Sequence, residues 1–309
     1  MAVQRLELSV GLRSFAPTEP PSWEALSLRA ERLDAAGVDR LVVSDHVVFG
    51  EDLAAYGDPS VGGTAGGRQP TGPDGAWLEP LTVLSFVAAR TERIRLGTNI
   101  LIAALRRPVV LAKTVATLDT LSGGRIDLGV GVGWQQAEYD AAGLAFDDRG
   151  RLLDDALATC RALWSGTPVR LGEGATSTVQ ARPTPVRGAD LPIWVSGTAN
   201  GPVARRLARF GSGWIPWGDA AADLVRAVPA MRARVERAGG DPGAFGVVGA
   251  VPVVDADGVP SATSTLAGVE DLVAAGVTDV RVSWPVAPDA DTDRAWLDGL
   301  VAEFRRRLG

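Results

Sequence analysis

The sequence is poor in the side chains that most often bind metals or act as nucleophiles. It contains one histidine, His46, one cysteine, Cys160, and one lysine, Lys113, in 309 residues. Catalytic zinc commonly takes about two or three imidazoles, and structural zinc takes several thiolates, so neither kind of site can be built within one chain. A single cysteine also excludes a disulfide within the chain.

The cysteine and the lysine both lie in segments with helical periodicity. Cys160 is on the same helical face as Leu157 and Trp164, which predicts a buried thiol that packs rather than a nucleophile. Lys113 lies inside another such segment, whereas a Schiff-base lysine of a barrel enzyme is expected at a strand end. We therefore expect neither residue to be catalytic.

An excess of positive charge is lacking as well. The 37 acidic residues outnumber the 31 basic ones, and the net charge of −6 disfavours binding to nucleic acid or to an anionic membrane. No apolar run approaches the roughly 18 residues of a membrane helix, and the first residues lack the features of a signal peptide. We expect a cytoplasmic protein without nucleic-acid or membrane partners.

Short β-branched apolar runs alternate with amphipathic segments along the chain, which is typical of parallel βαβ units. The predicted strands are 5–12, 38–44, 94–102, 126–132, 191–196, 213–216, 246–254 and 279–284. The predicted helices are 22–36, 79–91, 108–121, 150–164, 201–210, 220–239, 262–275 and 291–307. Eight such units predict an α/β protein with a (β/α)8 barrel, as one domain over residues 1–309.

Two segments are longer than a simple repeat requires. Residues 50–78 follow the second strand and are rich in glycine and proline. In a barrel this loop lies at the C-terminal ends of the strands, where active sites are found, so it is either a cover over a substrate or a plain flexible insertion. Residues 165–190 precede the fifth strand at the opposite end, where we expect a surface hairpin or a subunit contact.

Asp45 and His46 end the second predicted strand, facing the expected pocket. A histidine donates and accepts protons near neutral pH, and the adjacent carboxylate can bond elsewhere while the ring faces a substrate. The alternative is that Asp45 caps a loop and His46 is a packed ring. Position in the sequence leaves both interpretations open.

Two glycine-containing segments follow the fourth and fifth strands. The run GVGVGW at 129–134 permits either the close approach of a flat ligand or tight packing inside the barrel. It is not a dinucleotide fingerprint, because Trp134 occupies the position of the last glycine. The segment SGTANG at 196–201, with the hydroxyls of Ser196 and Thr198, predicts an anion site at a helix start or an ordinary helix cap.

Tryptophan is frequent, with nine residues against two tyrosines. Trp194 lies in the middle of a predicted strand and is expected in the core. Four others lie at or just after strand ends and predict an apolar, planar pocket wall. These four are Trp134, Trp214, Trp217 and Trp284.

Several segments, taken in order, resemble the luciferase-like flavin monooxygenase superfamily, and most closely its deazaflavin (coenzyme F420)-dependent branch. They are SDHVVF, WLEPLTVLSFVAARTERIRLGTNIL, RRPVVLAKTVATLDTLSGGRIDLGVGVGWQQAEYDAAG, RLLDDALATCRALWSG and PIWVSGTANGPVARRLARFGSGWIP. The resemblance covers about residues 5–217, and 92–143 is its most specific part. It implies a barrel that binds an isoalloxazine-type ring at the C-terminal ends of its strands, with hydride passing at C5 of the deazaflavin.

The resemblance also implies roles for individual residues. Asp45 would contact the deazaflavin, and His46 would lie by the redox centre as a proton donor or acceptor. A non-prolyl cis peptide at Asn99–Ile100 would press on the back of the ring. The remaining candidate cofactor-binding residues are Ile102, Val132, Gly133, Ser196, Gly197, Thr198 and Gly201.

The chain departs from the sugar-phosphate dehydrogenases of this branch. They have a catalytic glutamate where this chain has Trp134 and an asparagine where it has Ala137, and their phosphate-binding lysines have no counterpart here. We therefore expect hydride transfer, in either direction, with a small apolar or aromatic substrate.

Two alternatives remain. One is an FMN-dependent monooxygenase of the same superfamily that uses oxygen and a separate flavin reductase, and the other is a cofactor-binding barrel without catalysis. The Asp45–His46 pair is the main reason to prefer F420 over FMN. Because the superfamily leans to dimers, we expect a homodimer.

Overall fold

The structure is a computed structural model that describes residues 5–172, 174–256, 259–283 and 290–309. Within these residues, eight parallel strands close into a barrel, and each strand pairs with the next along the chain. The strands are β1 (Glu7–Gly11), β2 (Arg40–Val43), β3 (Arg95–Thr98), β4 (Ile126–Val130), β5 (Ile193–Gly197), β6 (Gly213–Pro216), β7 (Gly246–Val251) and β8 (Asp279–Ser283). The predicted (β/α)8 barrel and its eight strands are confirmed.

Helices connect the strands and cover the outside of the barrel. They are α1 (Glu24–Ala36), α2 (Pro80–Ala88), α3 (Pro108–Leu121), α4 (Gln136–Ala141), α5 (Arg149–Trp164), α6 (Gly201–Phe210), α7 (Asp219–Ala222), α8 (Leu224–Arg237), α9 (Ala262–Thr265), α10 (Val269–Ala274) and α11 (Ala290–Leu308). Two short antiparallel ribbons pair Phe15–Ala16 with Ala76–Trp77 and Asp255–Ala256 with Val259–Pro260.

Local sequence signals set several helix boundaries. Gly37 ends α1 with a φ of 83°, a left-handed conformation that glycine adopts without steric cost. Pro108 begins α3, where its missing N–H has no intrahelical partner to lose. The expected helix 262–275 is instead divided into α9 and α10, because Gly268 lies between them with a φ of 78°.

Charged side chains fill the interior near the N-terminal ends of the strands. Arg40 of β2 donates to Asp127 of β4 at 2.7 Å, to Glu7 of β1 at 2.5 Å, and to Asp279 of β8. Its guanidinium also lies 4.7 Å from the ring centre of Trp194, which is in the core as predicted. The barrel is therefore tied together across its interior by ion pairs, and this leaves the opposite end to form a cavity.

No helix in the described part of the chain combines the length and the apolar character needed to cross a bilayer.

Candidate active site

A cavity of about 500 Å³ lies at the C-terminal ends of the strands, within the size range of small-molecule sites. Strand-end residues from around the barrel form its lower wall, and most of its lining is apolar or aromatic. The lining from the predicted site comprises Asp45, His46, Asn99, Ile100, Ile102, Val132, Gly133, Trp134, Ser196, Gly197 and Trp217. The structure thus brings together eleven predicted residues from five separate segments of the sequence.

The long loop 50–78 forms the upper wall of this cavity. Its carbonyl at Gly62 accepts a hydrogen bond from the indole N–H of Trp217 at 2.9 Å. The ring of Tyr56 stands edge-on to Trp134 and Trp217, with centroid distances of 5.4 and 6.1 Å. These contacts favour a cover over the site, the first of the two interpretations, because a plain insertion would not line the cavity.

His46 is held at the cavity wall by a buried carboxylate. Its Nδ1 lies 3.2 Å from Oε2 of Glu138, whose side chain is fully buried. The other oxygen, Oε1, accepts from the backbone N–H of Val47 at 2.8 Å. A carboxylate on one ring nitrogen fixes the orientation of an imidazole and leaves Nε2 to exchange a proton with a ligand.

Aromatic rings surround the same histidine. Trp77 meets the His46 ring edge-on at a centroid distance of 4.8 Å, Phe49 lies at 4.6 Å, and Trp134 lies at 5.9 Å. These rings give the imidazole apolar surroundings on the sides that they contact.

Sequence reasoning missed Glu138. It lies in α4, a helix of six residues that is too short to give a clear periodic pattern. The available signal was its position eight residues beyond the end of β4, because the segment that follows a barrel strand places its residues beside the pocket.

Asp45 is 5% exposed, and both of its carboxylate oxygens are engaged within the protein. Oδ2 accepts from the backbone N–H of Ile102 at 2.8 Å and from Arg106 at 2.6 Å, and Oδ1 accepts from Arg106 at 3.0 Å. Burial lowers the pKa of Arg106, but its bonds to Asp45 and Glu79 outweigh burial and raise it. Asp45 therefore ties the end of β2 to the segment after β3, and its contact with a cofactor stays a prediction.

The peptide bond Asn99–Ile100 is cis, as the resemblance implied. The side chain of Ile100 lines the cavity, whereas Oδ1 of Asn99 accepts from Arg281 at 2.8 Å. Arg281 is itself buried and donates to Ser9 at 2.9 Å and to Asp279 at 3.2 Å. The bulge after β3 is thus anchored to the ion-pair network below the cavity.

The alternating glycines after Ile126 allow neighbouring segments to pack closely against β4. A Cβ atom at Gly129 would lie 1.9 Å from the carbonyl oxygen of Thr98, so no side chain fits there. At Gly131 a Cβ would lie 2.9 Å from Cδ1 of Ile100, and this glycine also lines the cavity. Tight packing therefore explains Gly129, whereas Gly131 both admits the bulge and widens the cavity.

The segment SGTANG begins α6 with a side-chain cap. Oδ1 of Asn200 accepts from the backbone N–H of Val203 at 2.9 Å, and Nδ2 of Asn200 donates to Oγ1 of Thr198 at 2.9 Å. Gly201 is the first residue of the helix. The ordinary helix cap is thus present, and anion binding by this segment stays a prediction.

Two of the four predicted wall tryptophans, Trp134 and Trp217, line the cavity. Trp284 lies outside the described residues. The loop contributes Trp77, which stacks on Phe15 at 4.2 Å with an angle of 11° between the rings, and both rings line the cavity. This stacked pair was not predicted, because it depends on the ribbon that joins residues 15–16 to 76–77.

Trp214 does not line the cavity, so its predicted place on the pocket wall is wrong. It is fully buried in the main core, and its indole N–H donates to the carbonyl of Gly197 at 3.0 Å. Successive side chains of a strand point to opposite faces, and Ile215, the next residue of β6, lines the cavity together with Pro216 at the strand end.

A barrel with a ligand-sized cavity at the C-terminal ends of its strands is an architecture common to many enzymes. The chain belongs to the luciferase-like monooxygenase family, whose model matches residues 9–296. A relative is the F420-dependent glucose-6-phosphate dehydrogenase of Beutenbergia cavernae, which is 32% identical over 220 residues, or 68% of this chain and 56% of that protein. The predicted family is confirmed.

Solved structures share the fold. An F420-dependent secondary alcohol dehydrogenase in complex with an F420–acetone adduct has a TM-score of 0.73 at 16% identity, covering 97% of this chain and 99% of its own. The monooxygenase RslO1 from Streptomyces bottropensis has a TM-score of 0.73 at 18% identity, covering 97% and 100%. Since both kinds of enzyme share the barrel equally well, these likenesses establish the fold and leave the cofactor open.

Proposed function

We propose that this protein is an F420-dependent oxidoreductase that transfers hydride between C5 of the deazaflavin and a small apolar or aromatic substrate. The observation that carries the proposal is His46, held by Glu138 at the wall of an aromatic cavity that Ile100 also lines. The F420-dependent relative supports the choice of cofactor. We do not extend that relative's sugar-phosphate substrate to this chain.

The lining residues fit a deazaflavin ring. Ile100 and Val132 provide apolar lining, and Gly131 adds lining without a side chain next to Ile100. Ser196 and Gly197 would contact the rest of the cofactor. When bound, the deazaflavin supplies hydride chemistry, which no amino-acid side chain provides.

The protein's own residues donate or accept the proton that accompanies the hydride. Glu138 holds Nδ1 of His46, so Nε2 can donate a proton to a substrate oxygen or nitrogen during reduction, or accept one during oxidation. The aromatic rings around His46 and the loop 50–78 line the site with apolar surface, which would limit the access of water to a bound ligand. Hydride plus proton accounts for the two electrons and two hydrogens added to a carbonyl, an imine or an activated double bond.

The choice of cofactor is tested by titrating the purified protein with F420 and with FMN, following absorbance and fluorescence. We expect saturable F420 binding that is tighter than FMN binding. Submicromolar FMN binding without F420 binding would overturn the proposal and favour an FMN-dependent monooxygenase with a reductase partner. The likeness to RslO1 makes that enzyme the second candidate.

The role of His46 is tested with His46→Ala in the oxidation of reduced F420 by cyclic enones. We expect the rate to fall by about 10²–10⁴-fold, the usual contribution of general acid–base catalysis, while F420 binding is retained. Undiminished turnover would make His46 a structural residue. F420 binding without turnover by either protein would favour the non-catalytic barrel.

A further inference from the structure

Two polar groups in the cavity have no hydrogen-bond partner among the described residues. One is the side-chain amide of Gln69 on the loop, whose Oε1 and Nε2 are both buried. The other is the indole N–H of Trp134, a residue that is 6% exposed. Buried polar groups in native proteins are usually paired, since each unpaired one costs about 1–3 kcal/mol. Neither group would therefore have to give up a hydrogen bond within the described protein in order to pair with a ligand.

The cavity offers little to a charged ligand. Among the described lining residues, Asp45 and Arg281 carry a formal charge near neutral pH, and each is already held by an oppositely charged side chain of the protein. The imidazole of His46 is bonded to Glu138. A ligand in contact with the orphaned amide is therefore neutral, because burying an unpaired charge is costly.

The walls select for a flat molecule. The loop and the strand ends present five aromatic rings to the cavity, and such rings pack best on planar ligands. They belong to Phe15, Tyr56, Trp77, Trp134 and Trp217.

A glutamine amide presents one acceptor and one donor side by side in a plane. A neutral group that pairs with both at once is a cis amide, in which N–H and C=O lie on the same edge, as in a lactam ring. We propose that Gln69 determines specificity by binding the N–H and C=O edge of a planar, neutral lactam, and that Trp134 donates to a further oxygen of that ligand. This rests on the proposed function in one respect, namely that the lactam is the substrate for hydride transfer.

The test compares two bicyclic molecules of nearly the same shape. In 2-quinolinone a lactam carries both N–H and C=O, whereas coumarin is the matching lactone and lacks the N–H. Affinities are measured by calorimetry on the protein alone and on the protein saturated with oxidised F420. We expect 2-quinolinone to bind about tenfold more tightly than coumarin, since a site built to pair an N–H discriminates against a ligand without it.

Gln69→Leu should reduce this preference to about one while coumarin still binds, because leucine fills similar volume without a donor or acceptor. Gln69→Met should also lose the preference, since methionine has a similar length but no amide donor or acceptor, and it tests the assignment if the leucine variant does not fold. The matched control is Gln180→Leu, which changes an exposed glutamine bonded to the carbonyl of Gly166 in the segment 165–190.

Three results would each overturn the assignment. The Gln69 variants could still prefer 2-quinolinone to coumarin as strongly as the native protein does. The native protein could bind the two molecules equally well, or bind neither. A Gln69→Leu variant that loses F420 and keeps the lactam preference would also overturn it, because Gln69 would then belong to the cofactor's site. The native protein could also fail to bind F420 and still prefer the lactam in the measurement without cofactor. That result would contradict the proposed function and leave Gln69 as the lactam contact.

Discussion

His46 depends on a carboxylate 92 positions away in the sequence. Glu138 uses one oxygen on the histidine and the other on the backbone of Val47, so the ring and the start of its loop are fixed by the same side chain. A change at Glu138 should therefore alter how His46 is aimed without removing the proton carrier itself. This makes Glu138 a positioning residue for the proposed reaction.

Glu138→Gln should lower kcat by roughly 10- to 100-fold, a part of the usual general acid–base contribution, with a much smaller change in KM and in F420 affinity. The amide retains the bond to Val47 but can no longer accept from the histidine with a charged oxygen. Steady-state kinetics and F420 titration measure the two effects. Glu236→Gln, on the exposed side of α8, is the control, and a proportional loss of cofactor binding in Glu138→Gln would contradict a positioning role.

The single cysteine should be unreactive in the folded protein. Cys160 is fully buried in α5, and burial raises the pKa of its thiol to about 12, so little thiolate forms at neutral pH. A disulfide reagent such as Ellman's should therefore titrate no thiol in the native state and one thiol per chain in denaturant. Fast native-state labelling would show that the helix opens or that the thiol is accessible.

At the scale of strands, the ion pairs of Arg40 and Asp127 fill the part of the barrel interior that apolar side chains usually occupy. Asp127 of β4 accepts from Arg40 of β2 at 2.7 Å and from Arg95 of β3 at 2.6 Å. Burial raises the pKa of Asp127, but the two arginines outweigh it and hold the pKa below its usual value. Three adjacent strands thus depend on one carboxylate.

Asp127→Asn should lower the free energy of unfolding by about 1–3 kcal/mol at neutral pH, because the buried Arg40 loses one of its three acidic partners and Arg95 loses the carboxylate that it contacts. A lowered folded-state pKa contributes stability above the unfolded value of 3.8, and that stability is lost as the pH falls through the folded value. The difference in the free energy of unfolding between the native protein and the variant should therefore become smaller in acid. Urea unfolding at neutral pH and below about pH 4 measures it.

The control for this variant is Asp148→Asn. Asp148 is half-exposed and pairs with Arg151 at 2.8 Å on the protein surface, where ion pairs contribute little. Equal effects of the two substitutions would show that the interior network does not stabilise the barrel.

The predicted elements agree with the structure wherever a short-range signal governs them. The eight strands were predicted from apolar runs, and the helix starts at Pro108 and Gly201 were predicted from local capping signals. The helix α4 and the break at Gly268 were missed, since a six-residue helix and a single glycine leave the periodicity almost unchanged.

At the scale of the whole molecule, the neighbouring helices α2 and α3 expose large apolar side chains, and Thr114 and Thr117 lie between two of them on α3. Val110 and Leu121 of α3 are 63% and 78% exposed, and Phe86 on the neighbouring α2 is 49% exposed. Exposed apolar patches of this kind mark interaction surfaces. We propose this face as the contact of the homodimer that the family resemblance leads us to expect.

Val110→Asp should weaken self-association at least about tenfold, since a charge in an apolar contact loses its hydration without gaining a partner. Sedimentation velocity over a range of concentrations measures the change. Val225→Asp, at a site on α8 that is 69% exposed, is the matched control. A native protein that stays monomeric, or equal behaviour of the two variants, would exclude this face as the dimer contact.

The sequence by itself determined the barrel, the family and the strand ends that carry His46, because apolar periodicity and short motifs are local properties of the chain. The tertiary structure decided which side chains meet there. It paired His46 with Glu138, turned Trp214 away from the cavity, engaged Asp45 with Arg106, and left Gln69 facing the cavity without a partner. Those outcomes depend on strand facing, on a short helix and on the path of the loop 50–78, and each of these is set by packing between segments distant in the sequence.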